Sequence, residues 1–294
     1  MGKFGVLDND IVNEIATFFH KKWEDEKLNV LFPNIILRSD VLQILDRYCT
    51  VIYYPLPDEG NNGFHISNIP DLKGENQHFV YINTAQSLEK QVFTAAHELG
   101  HAWDVDKFVI KSFEKNHIER IKQQEKKYGT DGLEERIVNR FAAEMLMPEE
   151  VFRTQYENEL NKIEKSDKGI PLSKFLKVVA FLMNFFLVPM KSVIIRMAEL
   201  KILNIETANI LTSEKELLLA SIVKKEIERI NREGGYTDLY IPTKKKYISG
   251  LVEMLEMAER TKSVSEEKIK AMRERFELEP ETDEPELSRP ITLE

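Results

Sequence analysis

The stretch FTAAHELGHAWDVD, residues 93–106, carries two histidines four positions apart, with a glutamate directly after the first. On a helix, His97 and His101 are separated by about 40° around the axis and by one turn along it. Both imidazoles can therefore bind one tetrahedral zinc ion. Glu98 lies beside that face, where it can accept a proton from a zinc-bound water and return it to a leaving amine. This HExxH spacing predicts a zinc-peptidase helix.

Two local features favour this interpretation over a solvated helix face that binds no metal. A glycine in mid-helix, Gly100, costs about 1 kcal/mol relative to alanine, which indicates a close neighbour at that point. The apolar stripe of the helix consists of Val92, Ala96, Leu99 and Trp103. Both histidines lie off this stripe, so core packing does not explain them.

A catalytic zinc site also needs a third protein ligand. The candidates are Glu134 and Glu135, which begin the next clear helix. Glu135 shares a face with Asn139, which could support it by hydrogen bonding, whereas Glu134 is placed for capping. Asp104 and Asp106 are close in sequence but would lie at or beyond the end of the motif helix. Spacing alone leaves two possibilities open, a ligand at Glu135 or an exposed, charged helix face without metal.

Composition limits the classes of partner. The chain has 294 residues, 42% of them hydrophobic and 31% charged, with a net charge of -9. The negative charge disfavours broad binding to nucleic acid or to anionic membranes. A single cysteine, Cys49, excludes an intramolecular disulfide and a Cys-rich zinc site. The N-terminus does not resemble a signal peptide, and the most apolar segment, 175–190, falls short of a membrane span. We therefore expect a cytoplasmic protein with no membrane partner and no direct nucleic-acid partner.

The elements around the motif predict an α+β fold. Three strand-like runs with short, turn-rich connections precede the motif helix, which indicates a small, mostly antiparallel three-stranded sheet packed on it. The chain beyond this region reads as an all-helical C-terminal region. The expected strands are 49–56, 63–69 and 78–84, and the expected helices near them are 9–28, 39–47 and 87–103.

The same patterns divide the chain into four parts. Residues 1–150 form the metallopeptidase domain with its N-terminal helices, and residues 151–204 form a helical extension. Residues 205–276 form a further helical region without an evident role. Residues 277–294 contain seven acidic residues, three prolines and one arginine. A segment of this composition cannot bury a core, so we expect it to be disordered.

Two segments together resemble a known family. FVYINTAQSLEKQVFTAAHELGHAW and EERIVNRFAAEMLMPEEVF are similar to the ImmA/IrrE family of zinc metallopeptidases. That family pairs a strand ending in Asn with a HELGH helix and a later Glu-x-x-Ala-Asn-x-Phe-Ala-Ala-x-Leu-Leu-Met-Pro helix. Val138 and Met145 replace the usual alanine and leucine. Arg196 matches an arginine in the family's helical extension, and the resemblance covers roughly residues 35–203.

The resemblance implies a zincin-like domain with His97, His101 and Glu135 as zinc ligands and Glu98 as general base. Manganese is the alternative metal. It also implies a cytoplasmic, site-specific endopeptidase or anti-repressor that acts on a helix-turn-helix transcriptional repressor of a mobile element or stress response. The alternative function is a non-proteolytic, metal-binding anti-repressor or sensor that sequesters its partner. Neither the residues nor the resemblance indicates an oligomeric state.

Overall fold

The computed structural model describes residues 7–32, 36–58, 60–70, 76–116, 118–163, 170–212 and 217–278. Within these ranges the chain forms a mostly helical α+β fold around one small sheet. The strands are β1 Thr50–Tyr54, β2 Gly63–Pro70, β3 Asn76–Asn83 and β4 Tyr247–Ile248. The helices are α1 Asn9–Asp25, α2 Leu28–Leu31, α3 Asp40–Tyr48, α4 Leu88–Ala102, α5 Val105–Asn116, α6 Ile118–Tyr128, α7 Thr130–Leu146, α8 Glu149–Asn161, α9 Leu172–Phe186, α10 Met190–Glu199, α11 Ile205–Thr212, α12 Leu217–Glu233, α13 Leu251–Thr261 and α14 Glu266–Arg275.

The sheet differs from the expected three-stranded, mostly antiparallel one. It has four strands in the order β2-β3-β1-β4 and is mixed. β1 pairs with β3 in parallel, while β2 is antiparallel to β3 and β4 is antiparallel to β1. The parallel pair arises because the chain reverses direction twice between β1 and β3, once on each side of β2. Strands joined by short connections are therefore not all antiparallel neighbours in this sheet.

The expectation of an all-helical C-terminal region was also wrong. Within this region helix α13 begins only at Leu251, after Gly250 in a left-handed conformation with φ of 72°. The residues before it run back along the sheet, where Tyr247 and Ile248 pair with β1. This pairing satisfies the backbone groups of β1, which would otherwise form an exposed sheet edge. An isolated bridge from Ser87 to Pro242 extends the same contact to the start of α4.

Helix α4 lies between the sheet and helix α7. Its buried residues Val92, Ala95, Ala96 and Leu99 belong to the main apolar core. That core also includes Ile137, Val138 and Phe141 of α7 and the buried residues of the sheet, listed with them as Val51, Tyr53, Val80 and Ile82. The motif helix is therefore packed on two sides, which leaves its remaining face for chemistry.

A second, smaller core holds the C-terminal helices. Leu251, Leu255, Ile269 and Phe276 pack together, against Tyr54 and Ile248 of the sheet among others. In the described part of the chain, no single helix is long and apolar enough to cross a membrane. Helices α9 and α10 meet the criteria only when taken together, and they are bent by 104° relative to each other.

A buried ion cluster joins α7 to α10. Glu144 Oε2 accepts hydrogen bonds from Arg140 Nη2 at 2.7 Å and from Arg196 Nη2 at 2.9 Å. Glu199 Oε2 lies 3.4 Å from Arg140 Nε and 3.5 Å from Arg196 Nη1. Arg196, fully buried, also donates from Nε to the carbonyl of Met147 at 3.1 Å. Two positive and two negative charges thus balance in the interior and hold the end of α7 against the helical extension.

Candidate active site

Helix α4 places the three motif residues at one point. One potential ligand atom from each of His97, Glu98 and His101 lies within 4.8 Å of the other two. The two imidazole rings are 4.9 Å apart and nearly perpendicular, at 75°. Glu98 is buried, with 5% of its surface exposed, while both histidine side chains are partly exposed. This burial removes most water from the glutamate but leaves the imidazoles open to a ligand.

Helix α7 adds the carboxylate of Glu135 to this point. Glu135 Oε2 lies 3.4 Å from His97 Nε2, and Oε1 lies 3.4 Å from His101 Nε2. Ligands bound tetrahedrally to one zinc ion with bonds of 2.0–2.1 Å are about 3.3 Å from each other. Each carboxylate oxygen of Glu135 therefore lies at about the spacing of two zinc ligands from one imidazole nitrogen. Asp104, by contrast, pairs with Lys107 on the surface.

A glycine allows the two helices to approach this closely. A Cβ atom on Gly100 would lie 2.9 Å from Val138 Cγ1 and 3.0 Å from Phe141 Cδ1. Real Cβ contacts essentially never fall below 3.0 Å, so α7 can pack here only against a residue without a side chain. The close neighbour that the sequence indicated at Gly100 is thus α7, the helix that carries Glu135.

Asn139 lies one turn after Glu135 and touches both helices. Its Nδ2 donates to the main-chain carbonyl of Glu135 at 2.7 Å. Its side chain also hydrogen-bonds His97, an interaction that favours the protonated imidazole. Asn139 therefore links a candidate ligand on α4 to the backbone of the candidate ligand on α7.

Burial and mutual charge shift the acidities of the cluster. Burial lowers the pKa of His97 to about 4. Burial also raises the pKa of Glu98 to about 7; the charge of Glu135 adds to this effect and His101 opposes it. Although burial opposes it, the hydrogen bond and charge of Glu135 raise the pKa of His101, and the same hydrogen bond lowers the pKa of Glu135. The cluster therefore favours neutral His97 and ionised Glu135, the forms that bind a metal, whereas it favours protonated His101, which must release its proton before it binds one.

Two further histidines lie beside the motif, and the sequence interpretation missed both. The ring of His65 on β2 stacks on that of His101, with centroids 6.1 Å apart and planes at 15°. His65 Nε2 lies 2.9 Å from His78 Nδ1 on β3. The alternation of side chains along β2 places Gly63 and His65 on the same face. That alternation was the available signal, but it does not reveal which helix covers the face.

A cleft of about 500 Å³ opens at the candidate ligands. It is bounded by α4, by α7 and by the loop between β1 and β2. Its lining residues are Asp58, Gly60, Asn61, Asn62, Gly63, Phe93, Thr94, His97, Glu98, Glu135 and Asn139. A second cleft, of about 480 Å³, lies near the start of α3 and contains none of the motif residues. Of these two clefts, the first is the one that contains candidate catalytic and metal-binding side chains.

One known family matches the part of the chain that carries this site. The family model Peptidase_M78, described as the IrrE N-terminal-like domain, matches residues 46–197. The match includes the sheet from β1 to β3, the motif helix and α7, and it ends within α10. No curated protein matches the chain.

Proposed function

Since the family match covers more than half of its length, the chain belongs to the Peptidase_M78 family of metallopeptidases, and we propose that it is a zinc-dependent endopeptidase. Its substrate in this proposal is one chosen protein, a helix-turn-helix transcriptional repressor. The observation that carries the proposal is the position of Glu135, whose two carboxylate oxygens each lie 3.4 Å from one imidazole Nε2. His97, His101 and Glu135 are the proposed ligands.

The donor set fits zinc by both type and number. Two imidazoles and one carboxylate form a three-ligand set that leaves a fourth position open for water or substrate, as catalytic zinc sites require. Glu98 also lies close to the histidines, but its carboxylate is on α4 itself and is buried. Assigning Glu135 as the ligand leaves Glu98 available for proton transfer.

A bound zinc ion would polarise the scissile carbonyl and acidify a coordinated water. Glu98 accepts the proton of the attacking water and delivers it to the leaving amine. Asn139 hydrogen-bonds His97 and the backbone carbonyl of Glu135, and so supports the segments that carry two of the proposed ligands.

The choice of a repressor as substrate rests on the resemblance to the ImmA/IrrE family. Members of that family act on repressors that are often encoded beside them. The alternative remains a metal-binding anti-repressor that sequesters its partner without cutting it. The presence of Glu98 favours cleavage, because a purely structural metal site does not need a buried carboxylate next to its ligands.

The decisive experiment incubates the purified, zinc-loaded protein with the repressor encoded by the neighbouring gene. We expect about one zinc per chain and two repressor fragments, with cleavage abolished in Glu98→Gln although zinc is retained. A stable complex without fragments would support the sequestering alternative. Absence of both zinc and manganese after purification and reconstitution would exclude both functions and leave the motif without a metal role.

A further inference from the structure

The last residue of β3, Asn83, is fully buried and uses its whole side chain for hydrogen bonds. Its Oδ1 accepts from the backbone N–H groups of Leu56 and Ala85, both at 3.0 Å. Its Nδ2 donates to the carbonyls of Asp58 at 3.1 Å and Asn61 at 2.8 Å. An amide side chain has two donors and two acceptor positions, and all four are occupied here.

Most of these bonds reach the loop between β1 and β2, of which the structure describes residues 55–58 and 60–62; these residues are called the β1–β2 loop below. The main-chain N–H of Asn83 adds another, to the carbonyl of Asn62 at 2.9 Å. Gln86 Nε2 also donates to the carbonyl of Asp58, at 3.3 Å. Three carbonyls of this loop therefore point inward, towards the end of β3. The loop has no strand or helix of its own, so these bonds to Asn83 determine its path.

The same loop forms one boundary of the cleft at the candidate metal ligands. Asp58, Gly60, Asn61 and Asn62 line the cleft, on the side formed by neither α4 nor α7. The carbonyls of Asp58, Asn61 and Asn62 turn inward, so the side chains of these three residues, and not their carbonyls, remain for contacts in the cleft. Asp58 Oδ1 accepts a hydrogen bond from the N–H of Gly60 at 2.9 Å, which further tightens the loop.

We propose that Asn83 is a positioning residue that holds the β1–β2 loop as the substrate-binding wall of this cleft. The wall would bind the polypeptide backbone next to the scissile bond, while the metal ligands form another part of the same cleft. This inference rests on the proposed peptidase function, since it assumes a peptide in the cleft. It assigns a role to the strand-terminal asparagine, which neither metal binding nor proton transfer explains.

Asn83→Asp tests the proposal because it keeps the shape of the side chain and removes both donors. A carboxylate oxygen then faces the carbonyls of Asp58 and Asn61, and the repulsion releases the loop. Asn231→Asp is the matched control. Asn231 is also fully buried and donates from Nδ2 to the hydroxyl of Tyr240 at 2.7 Å, but it does not line the cleft. This variant shows how much probe binding is lost when the same substitution is made at a buried asparagine away from the cleft.

The measurement is calorimetric binding of two probes to the zinc-loaded proteins. Acetohydroxamate reaches the metal only, whereas tri-alanyl hydroxamate reaches the metal and the wall. We expect Asn83→Asp to lower the affinity for tri-alanyl hydroxamate by about tenfold or more, because at least one hydrogen-bonded contact is lost. Acetohydroxamate affinity and zinc content should remain at wild-type levels. Asn231→Asp should leave both probes unchanged.

Equal binding of tri-alanyl hydroxamate by wild type and Asn83→Asp would overturn the proposal. Loss of both probes together with zinc would assign Asn83 to the metal site and overturn it as well. Should Asn83→Asp fail to fold, Gln86→Ala, which removes the other side-chain bond to the Asp58 carbonyl and does not line the cleft, must show a selective loss in the same direction. The two binding assays do not require turnover. If the protein cuts no repressor, the proposed function is refuted, but the binding assays still decide whether the wall binds a peptide.

Discussion

Gly100 on α4 and Val138 on α7 are so close that a Cβ atom at Gly100 would lie 2.9 Å from Val138 Cγ1. The contact point is one residue from His101 and three from Glu135 along their helices. The distance between the two helix backbones at this point therefore sets the distance between the candidate ligands that they carry.

Gly100→Ala should push α7 away from α4. We expect a loss of stability of about 1–3 kcal/mol, as for other overpacked cores, and weaker zinc binding. Gly132→Ala on α7 is the control, since its Cβ would meet only Tyr128 Cβ, at 3.7 Å. That change should raise stability by about 0.5–1 kcal/mol because alanine favours the helix. Urea unfolding and zinc competition titrations measure both effects, and unaltered zinc affinity in Gly100→Ala would disprove the coupling.

Replacing the proposed base should separate metal binding from turnover. In Glu98→Gln the side chain keeps its size but can no longer accept a proton from water. We expect kcat/KM to fall by about 10²–10⁴, the usual contribution of a general base, while zinc stoichiometry stays at the wild-type value. Cleavage assays and metal analysis on the same preparations provide the test. Wild-type turnover in this variant would show that another group moves the proton.

The third ligand can be identified by comparing adjacent glutamates. Glu135→Ala should weaken zinc binding by more than about 100-fold, because even groups that only support a ligand contribute about 10–100-fold. Glu134→Ala should bind zinc like the wild type. A chelator competition with a fluorescent zinc indicator gives both affinities. The reverse result, with Glu134 needed and Glu135 dispensable, would require a different orientation of α7.

The buried ion cluster makes a prediction about stability. Arg196→Met leaves Glu144 and Glu199 with only Arg140 as a positive partner, and therefore leaves one uncompensated charge in the interior. We expect the free energy of unfolding to fall by about 3–5 kcal/mol. Arg229→Met removes an exposed arginine that pairs with Glu226 on the surface of α12, so it should change stability by less than about 1 kcal/mol. Equal effects of the two variants in denaturant unfolding would refute a structural role for the cluster.

The helices near the site could be predicted well from the sequence. Apolar periodicity predicted the motif helix at 87–103, and the structure has it at Leu88–Ala102. The spacing of the histidines and of Glu135 with Asn139 identified side chains that the structure brings together. These features are local, because a helix fixes the relative positions of residues three or four apart.

The remaining features depend on contacts between distant segments. The sequence did not show that β1 and β3 run parallel, because strand direction depends on which edges pair and not on the strands themselves. His65 was missed because its neighbour His101 is on a helix 36 positions later. β4 was missed because two residues, Tyr247 and Ile248, are too few to show an alternating pattern.

The late pairing strand has a consequence for the order of events during synthesis. The backbone N–H of Val51 in β1 donates a hydrogen bond to the hydroxyl of Ser249, 198 positions further along the chain. A ribosome delivers β1, the motif helix and α7 long before it delivers the segment that closes the sheet, and protein chains emerge at about 5–20 residues per second. For that interval the nascent chain carries all its candidate ligands together with an open edge on β1. A chaperone that covers strand edges would therefore act on this chain between the appearance of α7 and that of β4.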